Sequence, residues 1–263
     1  MMNKIKKLML KVIIKLKEKN YKSNGTQLKY LFFKETGENL IVIFSAYNKD
    51  VALYNYLKTL KNYKCSKLYI KDDFGPSRTG SYYLGEHGKK NVEPTVIKLI
   101  REKLCAIEGI NSNIIFVGSS KGGYAALNFA VEFENSIAIV GAPQYKLGTH
   151  LNEPFFYPML EDIIGNRTSG KIKNLDDHIK NKYINMPKGL NQQIFIQYSP
   201  VEWSDVFRQY TYKTHIEPFI QDVRKYTDIQ LNEERVFYKE HNDVHKYFPS
   251  YLCTILSNLI NKR

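Results

Sequence analysis

The chain has 263 residues, 43% of them hydrophobic and 25% charged. That composition excludes a disordered or fibrous chain and suits one α/β domain with a sizeable core and room for an inserted cap. The net charge is +13, but the lysines beyond residue 19 are scattered and no recognition motif accompanies them, so no nucleic-acid partner is expected.

Residues 1–19 hold seven lysines and one glutamate, which supply +6 of the +13. Within them Ile5, Leu8, Met9, Val12, Ile13 and Leu16 recur at helical spacing. The pattern predicts a basic amphipathic helix over residues 1–20, ahead of a domain spanning 21–263. Lysines interrupt its apolar run and no small-residue cleavage site follows, so it does not read as a signal peptide. No stretch reaches 18 uninterrupted apolar residues, so no membrane span is expected. Such a helix suits packing on the domain, or lying on an anionic membrane surface at the inner membrane face.

Leu28–Phe33 reads as a first strand, and Leu40–Ser45 as a second that is apolar enough to be buried on both faces. The loop Ala46-Tyr47-Asn48 follows, then a predicted helix over Val51–Lys61. Lys67–Ile70 reads as a strand ending in Asp72-Asp73-Phe74-Gly75, with a glycine-rich loop through Gly80 and Gly85. A helix is predicted over Val92–Ala106, with Pro94 tolerated in its first turn. Ile114-Ile115-Phe116-Val117 is a strand, and Ser136–Val140 another, closed by Gly141-Ala142-Pro143. Residues 144–191 carry Pro154, Pro158, Gly165, Gly170 and Pro187 and break the alternation. They read as the inserted cap, with a helical patch over Leu175–Lys182. Alternation resumes with strand Gln193–Tyr198, a helix within Val206–Tyr226, strand Arg235–Lys239 and a last helix over Val244–Ile260. Strands alternating with helices predict a mostly parallel sheet covered on both faces. Cys65, Cys105 and Cys253 lie far apart and are odd in number. They read as three buried thiols in a reducing compartment, the cytoplasm.

The chemistry centres on Gly118-Ser119-Ser120-Lys121-Gly122. An apolar strand runs into Gly-x-Ser-x-Gly, and the small-residue run Tyr124–Ala130 follows. Strand, sharp turn and helix in that order form a nucleophile elbow, which projects Ser120 above the sheet end with a helix N-terminus beneath it. A serine hydroxyl needs a base at neutral pH, and a carboxylate must then orient that base. His241 follows the last predicted strand and precedes the last helix, where the base belongs. His245 lies four residues on and is the second choice. The pair spells His-x-x-x-His, but no third ligand is evident, so no metal is expected. Of the remaining histidines, His150 suits the cap or, like His87, His178 and His215, the surface. Glu202 and Asp205 both follow the strand ending at Tyr198; Glu202 stands at the usual short distance, and Asp205 equally suits a helix cap. The oxyanion hole is expected from the backbone N–H of Lys121 and one from the Ala46-Tyr47 loop.

Phe74-Gly75, Tyr82–Gly85, Gly118–Gly123, Gly141–Gln144 with Leu147-Gly148, and His241-Asn242-Asp243 together resemble the capsular polysaccharide biosynthesis proteins of the XcbB/CpsF type. More distantly, the chain is similar to the accessory Sec system proteins that O-acetylate glycans on secreted adhesins. The resemblance spans about residues 28–260. It implies an α/β-hydrolase fold, with Ser120 as nucleophile and His241 as base. The acid does not carry over, because Pro200–Asp205 departs from a plain Asp-rich turn, so Glu202 and Asp205 both remain.

The expected activity is a serine-dependent acyl transferase, probable acyl group acetyl, or an esterase, acting on capsular or cell-surface polysaccharide through an acyl-enzyme. Its partners are a glycan or glycan precursor and an acyl donor, with no cofactor. Phe155-Phe156-Tyr157 in the cap suits stacking on sugar rings. The alternative is a non-enzymatic component of capsule or glycoprotein assembly that retains the fold.

Overall fold

A computed structural model describes residues 14–107, 113–187, 189–204, 209–226 and 228–260. Its sheet has eight strands. In chain order they are β1 (Lys19–Ser23), β2 (Thr26–Phe33), β3 (Leu40–Phe44), β4 (Ser66–Lys71), β5 (Ile114–Ser119), β6 (Ile137–Gly141), β7 (Gln192–Tyr198) and, after a two-stranded ribbon of β8 (Trp203–Ser204) and β9 (Gln209–Tyr210), β10 (Ile229–Arg235). Their order across the sheet is β1-β2-β4-β3-β5-β6-β7-β10. The pairs β1–β2 and β2–β4 are antiparallel, and all the others are parallel.

Alternation along the central strands builds two cores. Leu40, Val42 and Phe44 of β3 and Ile114 and Phe116 of β5 join one, with helices α1 (Val92–Cys105) and α2 (Lys121–Ala130). Ile41, Ile43, Ile115 and Val117 join the other, where the last helix of the chain, Val244–Ile260, contributes Phe248, Leu252 and Leu256. Successive side chains of a strand point to opposite faces, so a strand that is apolar throughout needs helices on both sides.

Between β6 and β7, where the cap is expected, come α3 (Leu147–Leu151), a 3-10 turn (Pro154–Phe156), α4 (Tyr157–Ile164), α5 (Ser169–Asp176) and α6 (His178–Ile184). The expected helical patch over Leu175–Lys182 is thus divided between α5 and α6. A π-helical turn (Tyr212–Ile216) and α7 (Glu217–Val223) follow β9, and α8 is the helix Val244–Ile260.

Four expectations are corrected. Val51–Lys61 is not helical: residues 51–55 are irregular, and a bend at Tyr56 leads into turns. Tyr56 has φ 60°, and its neighbours are held by tertiary bonds: Asn55 Oδ1 accepts from Ala46 N–H at 3.0 Å and Tyr54 OH donates to Glu18 at 2.7 Å. Those contacts override a helix-favouring composition. The last strand lies over Ile229–Arg235, not Arg235–Lys239, because the ladder runs from Ile229 opposite Gln192 to Arg235 opposite Tyr198. Of the cysteines, Cys65 is buried, but Cys105 is exposed and Cys253 half-buried. Residues 1–13 of the basic helix lie outside the described residues. Residues 14–17 are helical, but strand β1 takes over at Lys19, so the boundary at residue 20 moves back. The hairpin that follows closes on Asn24-Gly25, both at positive φ, the loop that suits two twisted strands.

Among the described residues, no helix is long and apolar enough to cross a membrane.

Candidate active site

Strand β5 ends at Ser119, and α2 starts at Lys121. Ser120 between them has φ 53° and ψ −121°, a conformation rare for a residue with a Cβ. The flanking glycines make room for the turn. A Cβ on Gly118 would meet Gly122 O at 2.1 Å, and one on Gly122 would meet Phe44 O at 2.9 Å. Ser120 N–H donates to Gly141 O of the neighbouring strand at 2.8 Å, which fixes the turn to the sheet.

Ser120 Oγ lies 2.7 Å from His241 Nε2. His241 sits in a 3-10 turn (His241–Asp243) just ahead of α8, and its Nδ1 lies 2.5 Å from Glu202 Oε1. Glu202 is 1% exposed. Its loop is tied to the His241 loop by Trp203 N–H donating to Lys239 O at 2.8 Å. Burial, and then the charge of Glu202, push the Tyr238 phenol well above its ordinary pKa, so it stays protonated beside that carboxylate.

The structure therefore brings Ser120, His241 and Glu202 into one hydrogen-bonded line. Asp205 lies outside the described residues. His245 does not join the line: its Nδ1 bonds to Asn242 O. Both ring nitrogens of His241 are engaged, so His241 and His245 do not form a paired ligand set. Among the described residues, no group of three or more His, Cys, Asp or Glu could hold a metal ion.

Lys121 opens α2, and the first N–H groups of a helix have no intrahelical acceptor. Ala46 N–H is already spent on Asn55 Oδ1. Tyr47, next to it, packs edge-on against Phe156 with ring centroids 5.8 Å apart. Tyr47, Phe155 and Phe156 with Lys49, Thr79 and Gly80 line a cavity of about 260 Å³.

With the sheet order and the elbow established, the fold can be named. The chain has the α/β-hydrolase fold. No family model matches it. The capsule O-acetyltransferase of Neisseria meningitidis serogroup A, in a complex with CoA, superposes with a TM-score of 0.72 at 20% identity, covering 92% of this chain and 95% of that one. A glycosylation-associate protein complex from Streptococcus agalactiae gives 0.67 at 20% identity, over 92% of this chain and 47% of that one. The fluorophosphonate-binding serine hydrolase F of Staphylococcus aureus gives 0.63 at 14% identity, over 93% and 98%. By sequence, an accessory Sec system protein of Streptococcus gordonii is 25% identical over 210 residues, 74% of this chain. The chain spans only 40% of the length of that curated relative. The resemblance read from the sequence thus meets capsule and glycosylation proteins among the solved structures and an accessory Sec system protein by sequence.

Within this α/β-hydrolase fold, three features escaped the sequence. Lys121 is fully buried, and its Nζ donates to Asp72 Oδ2 at 2.7 Å and to Thr79 O at 3.1 Å. Burial pushes its pKa down, and Asp72 opposes that shift. A Cβ on Gly80 would strike Lys121 Nζ at 2.1 Å, so the glycine-rich loop closes over this ion pair. His150 and His215, expected at the surface or the cap edge, are both buried, with rings 5.2 Å apart. Burial, then the neighbouring His215 and His241, depress His150; burial, then His241 and Lys146, lower His215 to about 3. Gln144 Nε2 lies 2.9 Å from Ser120 Oγ. It ends the Gly141-Ala142-Pro143-Gln144 turn, which carried the resemblance but no expected role.

Proposed function

We propose that the protein is a serine-dependent acyltransferase that moves an acyl group, acetyl by preference, onto a hydroxyl of a capsular or cell-surface glycan through an acyl-enzyme. The observation that carries this reading is Ser120 Oγ at 2.7 Å from His241 Nε2, with the buried Glu202 on the other ring nitrogen.

The Glu202 carboxylate accepts a hydrogen bond from His241 Nδ1–H, which leaves Nε2 as the acceptor facing Ser120. As Ser120 attacks the donor carbonyl, its proton passes to His241, and Glu202 stabilises the imidazolium. Lys121 N–H and Tyr47 N–H receive the oxyanion; Ala46 is the poorer choice because its N–H is already bonded. Each such donor is typically worth about 3 kcal/mol in the transition state. His241 then protonates the leaving group. In the second half-reaction it takes the proton of the glycan hydroxyl as that oxygen attacks the acyl carbon, and Ser120 is released.

Transfer to glycan draws on the neighbours named for capsule O-acetylation and glycosylation. The complex of one of them with CoA supports a CoA thioester as donor. The cavity beside Tyr47, lined by Phe155 and Phe156, suits a sugar ring. Hydrolysis by the same acyl-enzyme is the neighbouring reading, drawn from the serine hydrolase neighbour. Three free thiols, at Cys65, Cys105 and Cys253, support a cytoplasmic placement.

A fluorophosphonate probe followed by peptide mapping tests the reading. Label on Ser120, lost in His241→Ala, is expected. An unlabelled Ser120 in folded protein would instead favour a non-enzymatic assembly component.

A further inference from the structure

Gln144 is 4% exposed, and three restraints fix the backbone around it. Ala142 adopts φ 39°, unusual for a residue with a Cβ, and its N–H donates to Gln197 O at 2.8 Å. Pro143 presses on α2 so closely that a Cβ on Gly123 would meet Pro143 Cβ at 2.9 Å. Beyond Gln144, the N–H groups of Tyr145 and Lys146 both donate to His215 Nδ1, at 3.1 and 3.2 Å. His215 is presented by the π-helical turn, and Tyr145 OH adds a bond to Asp222 at 2.9 Å. These restraints hold the turn that brings the Gln144 amide against Ser120 Oγ.

The orientation of that amide follows from proton counting. Ser120 has one hydroxyl proton, and with Glu202 on Nδ1, His241 Nε2 must receive it. An amide oxygen facing Oγ would compete for the same proton. The amide N–H therefore faces Oγ and donates to a lone pair.

We propose that Gln144 is a catalytic residue: its N–H stabilises Ser120 Oγ whenever charge builds there. This rests on Ser120 being the nucleophile. In acylation the Oγ–C bond forms, the Oγ proton goes to His241, and the bond from the acyl carbon to the leaving group breaks. The leaving group departs with the proton from His241. In transfer the acceptor oxygen bonds to the acyl carbon, its proton goes to His241, and the C–Oγ bond breaks. Oγ recovers a proton from His241. Oγ carries charge in both half-reactions, so one fixed donor serves both.

The test uses the full chain with an aryl acetate as donor. Thermal unfolding checks that each variant folds. Hydrogen bonds to charged atoms predict that Gln144→Met slows acetylation of Ser120 roughly 10- to 100-fold. Gln144→Glu, which loses the N–H donor, slows acetylation at least as much. Equal acetylation rates in wild type and both variants would overturn the proposal while leaving the nucleophile in place. A wild-type Ser120 that takes no acetyl group would remove the nucleophile reading, and this one with it.

Discussion

His241 faces Ser120 with one ring nitrogen at 2.7 Å and Glu202 with the other at 2.5 Å, so the imidazole is held between a hydroxyl and a buried carboxylate. A neutral side chain in place of that carboxylate keeps the packing but cannot stabilise the imidazolium or enforce its tautomer. Glu202→Gln is therefore expected to lower kcat by about a thousand- to ten-thousand-fold with little change in KM. Asp205→Asn should stay near wild type. Steady-state kinetics with an aryl acetate decides between them; a large loss in Asp205→Asn alone would move the acid to that residue.

Ser120→Ala and His241→Ala should cost similar amounts, and the double variant little more than either, because members of one catalytic unit fail together. His245→Ala should be mild, since that ring bonds to its own turn. Multiplying losses in the double variant would mean that His241 and Ser120 are not partners.

Much of this was legible in the sequence, and the parts that were not have a common cause. Gly-x-Ser-x-Gly marks the elbow because only glycine fits beside Ser120, and the apolar rows of β3 and β5 demand cover on both faces. Helix Val244–Ile260 matches its expected limits. The missed features are pairings across the chain. Lys121 and Asp72 stand 49 positions apart, and His215 reaches the Gln144 turn from 70 positions away. No local pattern announces such contacts. The same holds for Val51–Lys61, where a positive φ at Tyr56 and bonds to Ala46 and Glu18 win over helix propensity. The Asn24-Gly25 hairpin is different: its turn signal stands in the sequence ahead of β2, and the helix expected over residues 1–20 runs only into the start of β1 at Lys19.

The ion pair of Lys121 and Asp72 has no exposed surface on either side chain. Removing one partner strands a charge, so Asp72→Ala should destabilise the fold by about 3–5 kcal/mol, on the order of 10 °C in Tm. The double replacement Asp72→Leu with Lys121→Met should recover most of that loss, because it strands no charge. Thermal unfolding of the wild type and both variants measures it. A single variant as stable as wild type would mean that the loop over Gly80 does not depend on the pair.

His215 is held neutral, with a folded pKa of about 3. In the unfolded chain it returns to an ordinary value near 6.5. Below that value the unfolded state binds more protons than the folded one, so stability is full above about pH 6.5 and falls as the pH drops. His215 contributes about 1.4 kcal/mol per pH unit between those values, and the depressed His150 adds to the slope. Urea unfolding at several pH values should show this decline. The His215→Asn variant should show a shallower one between about pH 4 and 6. An unchanged slope would place the acid sensitivity elsewhere.

Residues 1–13 carry Lys4, Lys6, Lys7 and Lys11 and no acidic residue. Deleting them, and sparing Ile14 and Glu18, which pack on the core and bond to Tyr54, should leave the domain folded. Sedimentation with anionic vesicles should fall, most clearly at low salt, since each lysine near such a surface contributes roughly 1 kcal/mol. Equal sedimentation of both forms would end the membrane role.

The most direct test of the central claim is to trap the acyl-enzyme. The protein is mixed briefly with an acetyl donor, quenched in acid and mapped by peptide mass, with and without capsular glycan as acceptor. The account predicts acetyl on Ser120, absent in Ser120→Ala, that discharges faster when the glycan is present and appears on its hydroxyls. Acetyl groups on other residues only, or glycan acetylation undiminished in Ser120→Ala, would contradict it.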